Sequence, residues 1–154
     1  MDGTTPGTAF RLVGVALLSE EFGRLDVPLE APADGTVPDP FDLPHGAVVT
    51  LALTFRSAVD VDGLVYTETR VHRGQVLSTT RTALGGFRAG GPYEIRMPPE
   101  RLPNGRAVGN TYEVTGTFSD AAGHELARER HRFRLCASGR VPARPVQGAA
   151  PAAP

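Results

Sequence analysis

Residues 91–123 read "GPYEIRMPPERLPNGRAVGNTYEVTGTFSDAAG". Tyr93, Ile95 and Met97 alternate with other side chains, two prolines interrupt, and Pro103-Asn104-Gly105 supplies a turn. Tyr112, Val114 and Phe118 then resume the alternation until Ser119-Asp120. A period of two sends side chains to opposite faces of an extended chain. The stretch therefore reads as strand, loop, strand, and its product is an apolar face that needs a second layer to cover it. It contains no nucleophile, metal cage or phosphate loop.

The same period runs outward in both directions. Val49, Leu51, Leu53 and Phe55 share one face, with Val48, Thr50, Thr54 and Arg56 mostly on the other. Leu64 and Tyr66 alternate with Val65, Thr67 and Thr69. "QVLSTTRTAL" (75–84) is polar on both faces and suits a solvent-facing strand. "ELARERHRFRL" (125–135) puts Ala127, His131, Phe133 and Leu135 on one side and four arginines on the other, which favours a strand over a helix. "FRLVGVALLS" (10–19) and "RLDVPL" (24–29) add two more candidates.

Turn signals stand between these runs, among them "VDVDG" (59–63), "HRGQ" (72–75), "LGGFRAGGP" (84–92) and "DAAGHE" (120–125). About seven to nine short strands at this spacing, with no helical window, predict an all-β, two-sheet sandwich.

At 154 residues the chain has room for one such domain. We expect it to span residues 9–136, between a small polar N-terminus (1–8) and a Pro/Ala-rich tail (137–154). Both ends are expected to be disordered, since neither buries enough apolar surface to offset chain entropy.

A net charge of −1 gives no electrostatic basis for binding nucleic acid or an anionic membrane. All 16 basic residues are arginines, which with the Ala, Gly and Pro excess reads as GC-rich codon usage and a bacterial origin. Cys136 is the only cysteine, so neither a disulfide framework nor a thiolate metal site is expected. The N-terminus has no basic and apolar leader pattern, and no apolar run is long enough to span a bilayer. The expectation is a cytoplasmic protein without an integral membrane segment.

No catalytic chemistry is legible either. His45, His72, His124 and His131 are far apart and in no metal-binding frame. "DVDG" at 60–63 lacks the later acidic ligands of a calcium loop and reads as a turn. Asp60/Asp62 and Glu20/Glu21 fall in predicted turns, where carboxylates are solvated. No G-x-S-x-G, P-loop or G-x-G-x-x-G occurs. We expect a non-enzymatic domain with no cofactor and no metal.

The ordered series Gly63-Leu64-x-Tyr66, Arg73, "LGGF" (84–87), Tyr93-Glu94, Pro98-Pro99-Glu100, Pro103-x-Gly105, Thr111-Tyr112 and Phe118-x-Asp120 resembles the Rho GDP-dissociation inhibitor family. "PFDLPHGAVVTLALTF" (40–55) is similar to that family's Phe-x-Leu-x-x-Gly followed by an alternating strand. The resemblance covers about residues 10–135. It implies an immunoglobulin-like sandwich whose inter-sheet cavity takes the geranylgeranyl tail of a Rho GTPase. Burying a few hundred Å² of isoprenoid at ~25 cal/mol per Å² is worth on the order of 10 kcal/mol before ordering costs.

Aligned by these motifs, the pocket-lining positions are Leu17, Phe41, Val49, Val61, Ala107, Val114 and His131. Val49 stands where the family has Tyr, Ala107 where it has Leu and His131 where it has Trp. Ala107 and Val114 differ in parity, so both face inward only if the strand bulges near Gly109. The family's acidic N-terminal arm, which acts on the GTPase switch regions, has no counterpart in the nine residues before Phe10.

The expected ligand is thus an isoprenoid or other lipid chain, free or protein-attached. A small GTPase is a partner by resemblance only. The alternative is an interaction or structural sandwich without a cavity, acting through the arginine face of 125–135 or an edge strand. A carbohydrate-binding sandwich ranks third, since such sites offer exposed aromatic platforms and the chain has no Trp and only three Tyr.

Overall fold

The computed structural model describes residues 9–29 and 36–137. Among these, ten strands run in order: β1 (Phe10–Ser19), β2 (Gly23–Asp26), β3 (Phe41–Pro44), β4 (Val48–Ser57), β5 (Val61–His72), β6 (Gln75–Phe87), β7 (Gly90–Arg96), β8 (Glu100–Arg101), β9 (Thr111–Ser119) and β10 (Glu125–Cys136). One 3-10 turn, Gly105–Ala107, precedes β9. The segment 125–135 is a strand, as its alternation predicts. The disorder expected for residues 1–8 and 137–154 concerns, Ala137 apart, residues outside those described.

The strands form two sheets packed face to face, an immunoglobulin-like β-sandwich. The first has the order β2-β1-β4-β7, with β8 also paired to β4; the second has the order β3-β10-β9-β5-β6. All pairs are antiparallel except β3 with β10.

Local chemistry sets the turns. Arg73 and Gly74 both have positive φ, 53° and 76°, the arrangement of a two-residue hairpin turn between β5 and β6. The Asp120 carboxylate accepts the N–H groups of Ala122 and His124 at 3.0 and 2.9 Å and folds the chain from β9 into β10.

Pro98 and Pro99 divide the partners of β4. Ala52–Ser57 pair with β7, Val48 and Val49 pair with β8, and the two prolines between have no N–H to donate. Met97 still donates to the Leu51 carbonyl at 2.8 Å, so the edge of the first sheet is interrupted at Pro98 and Pro99.

Phe10, Phe55, Phe118, Tyr66, Phe87 and Tyr93 pack into one end of the core, with neighbouring ring centroids 5.0–6.1 Å apart. Tyr112, Phe133 and Phe41 form a smaller group towards the other end, with centroids 5.2 and 6.4 Å apart.

Candidate functional site

Strand register arranges the inner face of the second sheet in rows. Thr82, Tyr66, Phe118 and Ala127 form the first. Thr80, Glu68, Gly116 and Glu129 form the second, and Ser78, Arg70, Val114 and His131 the third. Tyr112, Phe133 and Phe41 follow. Large rings thus occupy the outer rows, and smaller or polar side chains the two between.

The first sheet lays Leu17, Val49 and Leu51 over this pair of rows, and the layers do not close. A cavity of about 290 Å³ remains, with Leu43, Leu102, Val114 and Tyr66 at its buried surfaces. Its rim carries the exposed Ser78, Thr80 and Pro98 and the half-buried Thr82 and Met97, where β6 faces the break between β7 and β8.

A charged cluster stands along one wall. Arg70 donates from Nη1 to Glu100 Oε2 at 2.7 Å and from Nη2 to Glu100 Oε1 at 3.1 Å. Its Nη2 lies 3.7 Å from Glu68, and its guanidinium carbon 5.6 Å from the Phe133 ring centre. Arg70 Nε is buried and has no hydrogen-bond partner. Burial pushes the Glu68 carboxyl above the usual carboxylate range; Arg70 opposes that rise and Glu100 adds to it. For Arg70, burial works to lower the pKa, but hydrogen bonds and charge from Glu100 and then Glu68 outweigh it.

Behind this wall Glu129 is only 1% exposed. Its Oε1 meets His131 Nδ1 at 2.8 Å, and its Oε2 lies at the long distance of 3.5 Å from the Tyr66 hydroxyl. Gly116 makes the arrangement fit, since a Cβ there would fall 2.7 Å from Glu129 Oε2 and against the Tyr66 hydroxyl. The Tyr66 pKa is held well above its ordinary value by burial and then by the Glu129 charge.

Of the seven positions aligned with the family pocket, Leu17, Val49, Val114 and His131 line the cavity together. Phe41 is buried beside it, its ring centre 6.0 Å from that of His131. Val61 is buried at the start of β5, opposite Phe87. Ala107 lies in the 3-10 turn rather than in β9, partly buried against the core and not among the residues lining the cavity, so strand parity with Val114 does not apply to it.

Leu43, Leu102, Glu68, Arg70 and Glu100 were not singled out by alternation. Glu68 and Arg70 nonetheless continue the inward parity of Leu64 and Tyr66, which is the signal that finds them.

The outward arginines of β10 are engaged locally. Arg128 pairs with Glu125 at 2.8 Å, Arg132 donates to the carbonyls of Val37 and Pro38, and Arg134 pairs with Asp42 at 3.0 Å. At the far end of β5, Asp60 accepts the Ala89 N–H at 2.8 Å. Among the described residues no group of three His, Cys, Asp or Glu could hold a metal ion. No helix among them is long and apolar enough to cross a membrane.

No protein-family model matches the chain. Over 82 residues it is 30% identical to the Rho GDP-dissociation inhibitor of Schizosaccharomyces pombe, a match covering 52% of this chain and 40% of that protein. The chain thus spans well under half of that relative's length. Among solved structures, a Bacteroides uniformis beta-glucuronidase matches with a TM-score of 0.51 at 12% identity, over 79% of this chain and 13% of that one. Such low identity shows a shared fold and nothing of activity.

Proposed function

We propose that this domain binds an isoprenoid or other long aliphatic chain, free or attached to a protein, between its two sheets, and does no chemistry on it. One observation carries the reading: the sandwich leaves a cavity of about 290 Å³ whose buried lining is mainly apolar, with Leu17, Leu43, Val49, Leu102 and Val114 among it, and whose rim reaches solvent. The motif resemblance to Rho GDP-dissociation inhibitors supports the same use. A lipid or lipidated protein is then the partner, with a small GTPase as the protein that the resemblance implies and the cytoplasm as the compartment.

At roughly 30 Å³ per methylene, similar to water's share of the liquid, the cavity holds on the order of ten carbons. A longer isoprenoid extends through the mouth. Each methylene buried contributes about 0.8 kcal/mol, close to fourfold in Kd. A series of n-alcohols displacing a fluorescent farnesyl-cysteine methyl ester probe should therefore gain about fourfold per carbon and level off near ten carbons. Absence of probe binding at tens of micromolar, or no dependence on chain length, counts decisively against the reading.

A second reading, an interaction module, is favoured by the edge of the second sheet. β6 is exposed along most of its length and carries Val76 and Leu77 at 60% and 52% exposure. A pull-down with the intact protein that is lost in Val76→Lys/Leu77→Lys, with chain binding absent, would favour it instead.

A further inference from the structure

The charge at the cavity mouth bears on which chains enter, given the chain-binding reading above. Glu68, Arg70 and Glu100 line the cavity, their side chains 22%, 13% and 43% exposed. Two carboxylates thus flank one guanidinium. Two of the five N–H donors of that guanidinium go to Glu100, its Nη2 also lies 3.7 Å from Glu68, and Nε is buried with no partner. Glu129 and His131, packed behind, add either one negative charge or none to this sum, depending on whether the imidazole is protonated. With Glu68 ionised, the wall is net negative in both states.

We infer that the cavity selects chains whose head group donates a hydrogen bond and carries no negative charge, and that it excludes fatty carboxylates. A hydroxyl donates to Glu68 and exchanges hydrogen bonds with the hydroxyls of Ser78, Thr80 and Thr82, which stand opposite the cluster on β6. A carboxylate finds a single cation already shared between Glu68 and Glu100 and meets the excess negative charge where water is thinned, so its net interaction with the wall is repulsive. The hydrophobic contribution is the same for both heads, so the difference between them reads the desolvation of the head group plus the wall, and its change in a wall variant reads the wall.

Decanol, decylamine and decanoate, compared as competitors of the bound farnesyl-cysteine methyl ester probe at one mildly alkaline pH, test the inference. Decanol is expected to displace the probe at concentrations at least about tenfold below decanoate, with decylamine on the decanol side. Glu68→Gln should narrow that gap severalfold; Glu100→Gln serves as the second variant if the first folds poorly. Decanoate equal to or better than decanol, or a gap that neither substitution narrows, overturns the selectivity while leaving chain binding intact. If no chain binds whatever its head, the cavity reading itself falls and the selectivity with it.

Discussion

Arg70 of β5 and Glu100 of β8 tie the two sheets together at the cavity mouth through two hydrogen bonds, at 2.7 and 3.1 Å. The pair is two-pronged, which favours a fixed geometry, but the Glu100 side chain is 43% exposed and solvent screens it. A double-mutant cycle with Arg70→Met and Glu100→Gln should yield a coupling of about 1 kcal/mol in denaturant melts. Arg70→Met alone should cost more, roughly 1–3 kcal/mol, because it leaves Glu68 and Glu100 without their shared cation. A coupling of zero would mean that the contact does not brace the sheets.

Gly116 is required by what crosses above it rather than by its backbone. A Cβ at that position would meet Glu129 Oε2 at 2.7 Å and press on the Tyr66 hydroxyl. Gly116→Ala should destabilise by roughly 1–3 kcal/mol, the range for an overpacked core. Tyr66→Phe removes the hydroxyl but leaves the ring Cε1, 2.8 Å from that Cβ, and Glu129 Oε2, so the double variant should be somewhat more stable than the sum of the single losses predicts. Strict additivity would argue that the core relaxes elsewhere.

The inner apolar stripes of this sandwich were legible because alternation and burial coincide: Val49, Leu53, Phe55, Leu64, Tyr66 and Phe118 all lie inside. The polar part of the cavity was not. Glu129 shares the inward parity of His131 and Phe133, yet a carboxylate flanked by arginines reads as surface until a partner is seen. Register adds to this, since the ladder between β9 and β10 shifts between Glu125 and Ala127 and leaves both Leu126 and Ala127 at least partly buried. Leu43 reaches the cavity from β3, which pairs with β10 some 92 residues away (Leu43↔Leu135), and no local pattern encodes that contact. The 3-10 turn at Ala107 was likewise hidden, because "PNGR" marks a turn without giving its length.

Two carboxyl groups, Glu68 and Asp120, make stability depend on pH in opposite directions. Glu68 has its folded pKa raised from 4.5, chiefly by burial, so its contribution is fully present below that value and is lost as pH rises through the raised one. Glu68→Gln removes this loss, and the stability of wild type relative to the variant should fall from acid towards neutral pH. Asp120 has the opposite sign: hydrogen bonds from His124 lower its pKa, so its contribution is present above the ordinary aspartate range and lost as pH falls through the lowered value. Tyr66 is raised well above 10.0, so its phenol should ionise only as the protein unfolds in alkali. The Tyr66 share of the tyrosinate absorbance, read as the difference between wild type and Tyr66→Phe, should then rise in step with the loss of β-sheet circular dichroism, and Tyr66→Phe should move that transition to higher pH. An unchanged alkaline midpoint would assign the transition to another group.

Val49 and Val61 are both buried valines, but only Val49 lines the cavity. Val49→Phe enters space that is already empty, so its cost should stay within about 1.5 kcal/mol while the added ring takes volume from a bound chain. Val61 faces packed neighbours at the other end of β5, where Phe55 and Phe87 stack edge to face at 5.0 Å. Val61→Phe should therefore cost roughly 1–3 kcal/mol and leave affinity for the farnesyl-cysteine methyl ester probe unchanged in the folded fraction. Stability and binding thus separate in opposite senses at the two positions. Titrations corrected for the folded fraction, run beside thermal melts of the same samples, read both quantities. If Val49→Phe binds the probe as wild type does, the chain lies elsewhere than between Val49 and Val114.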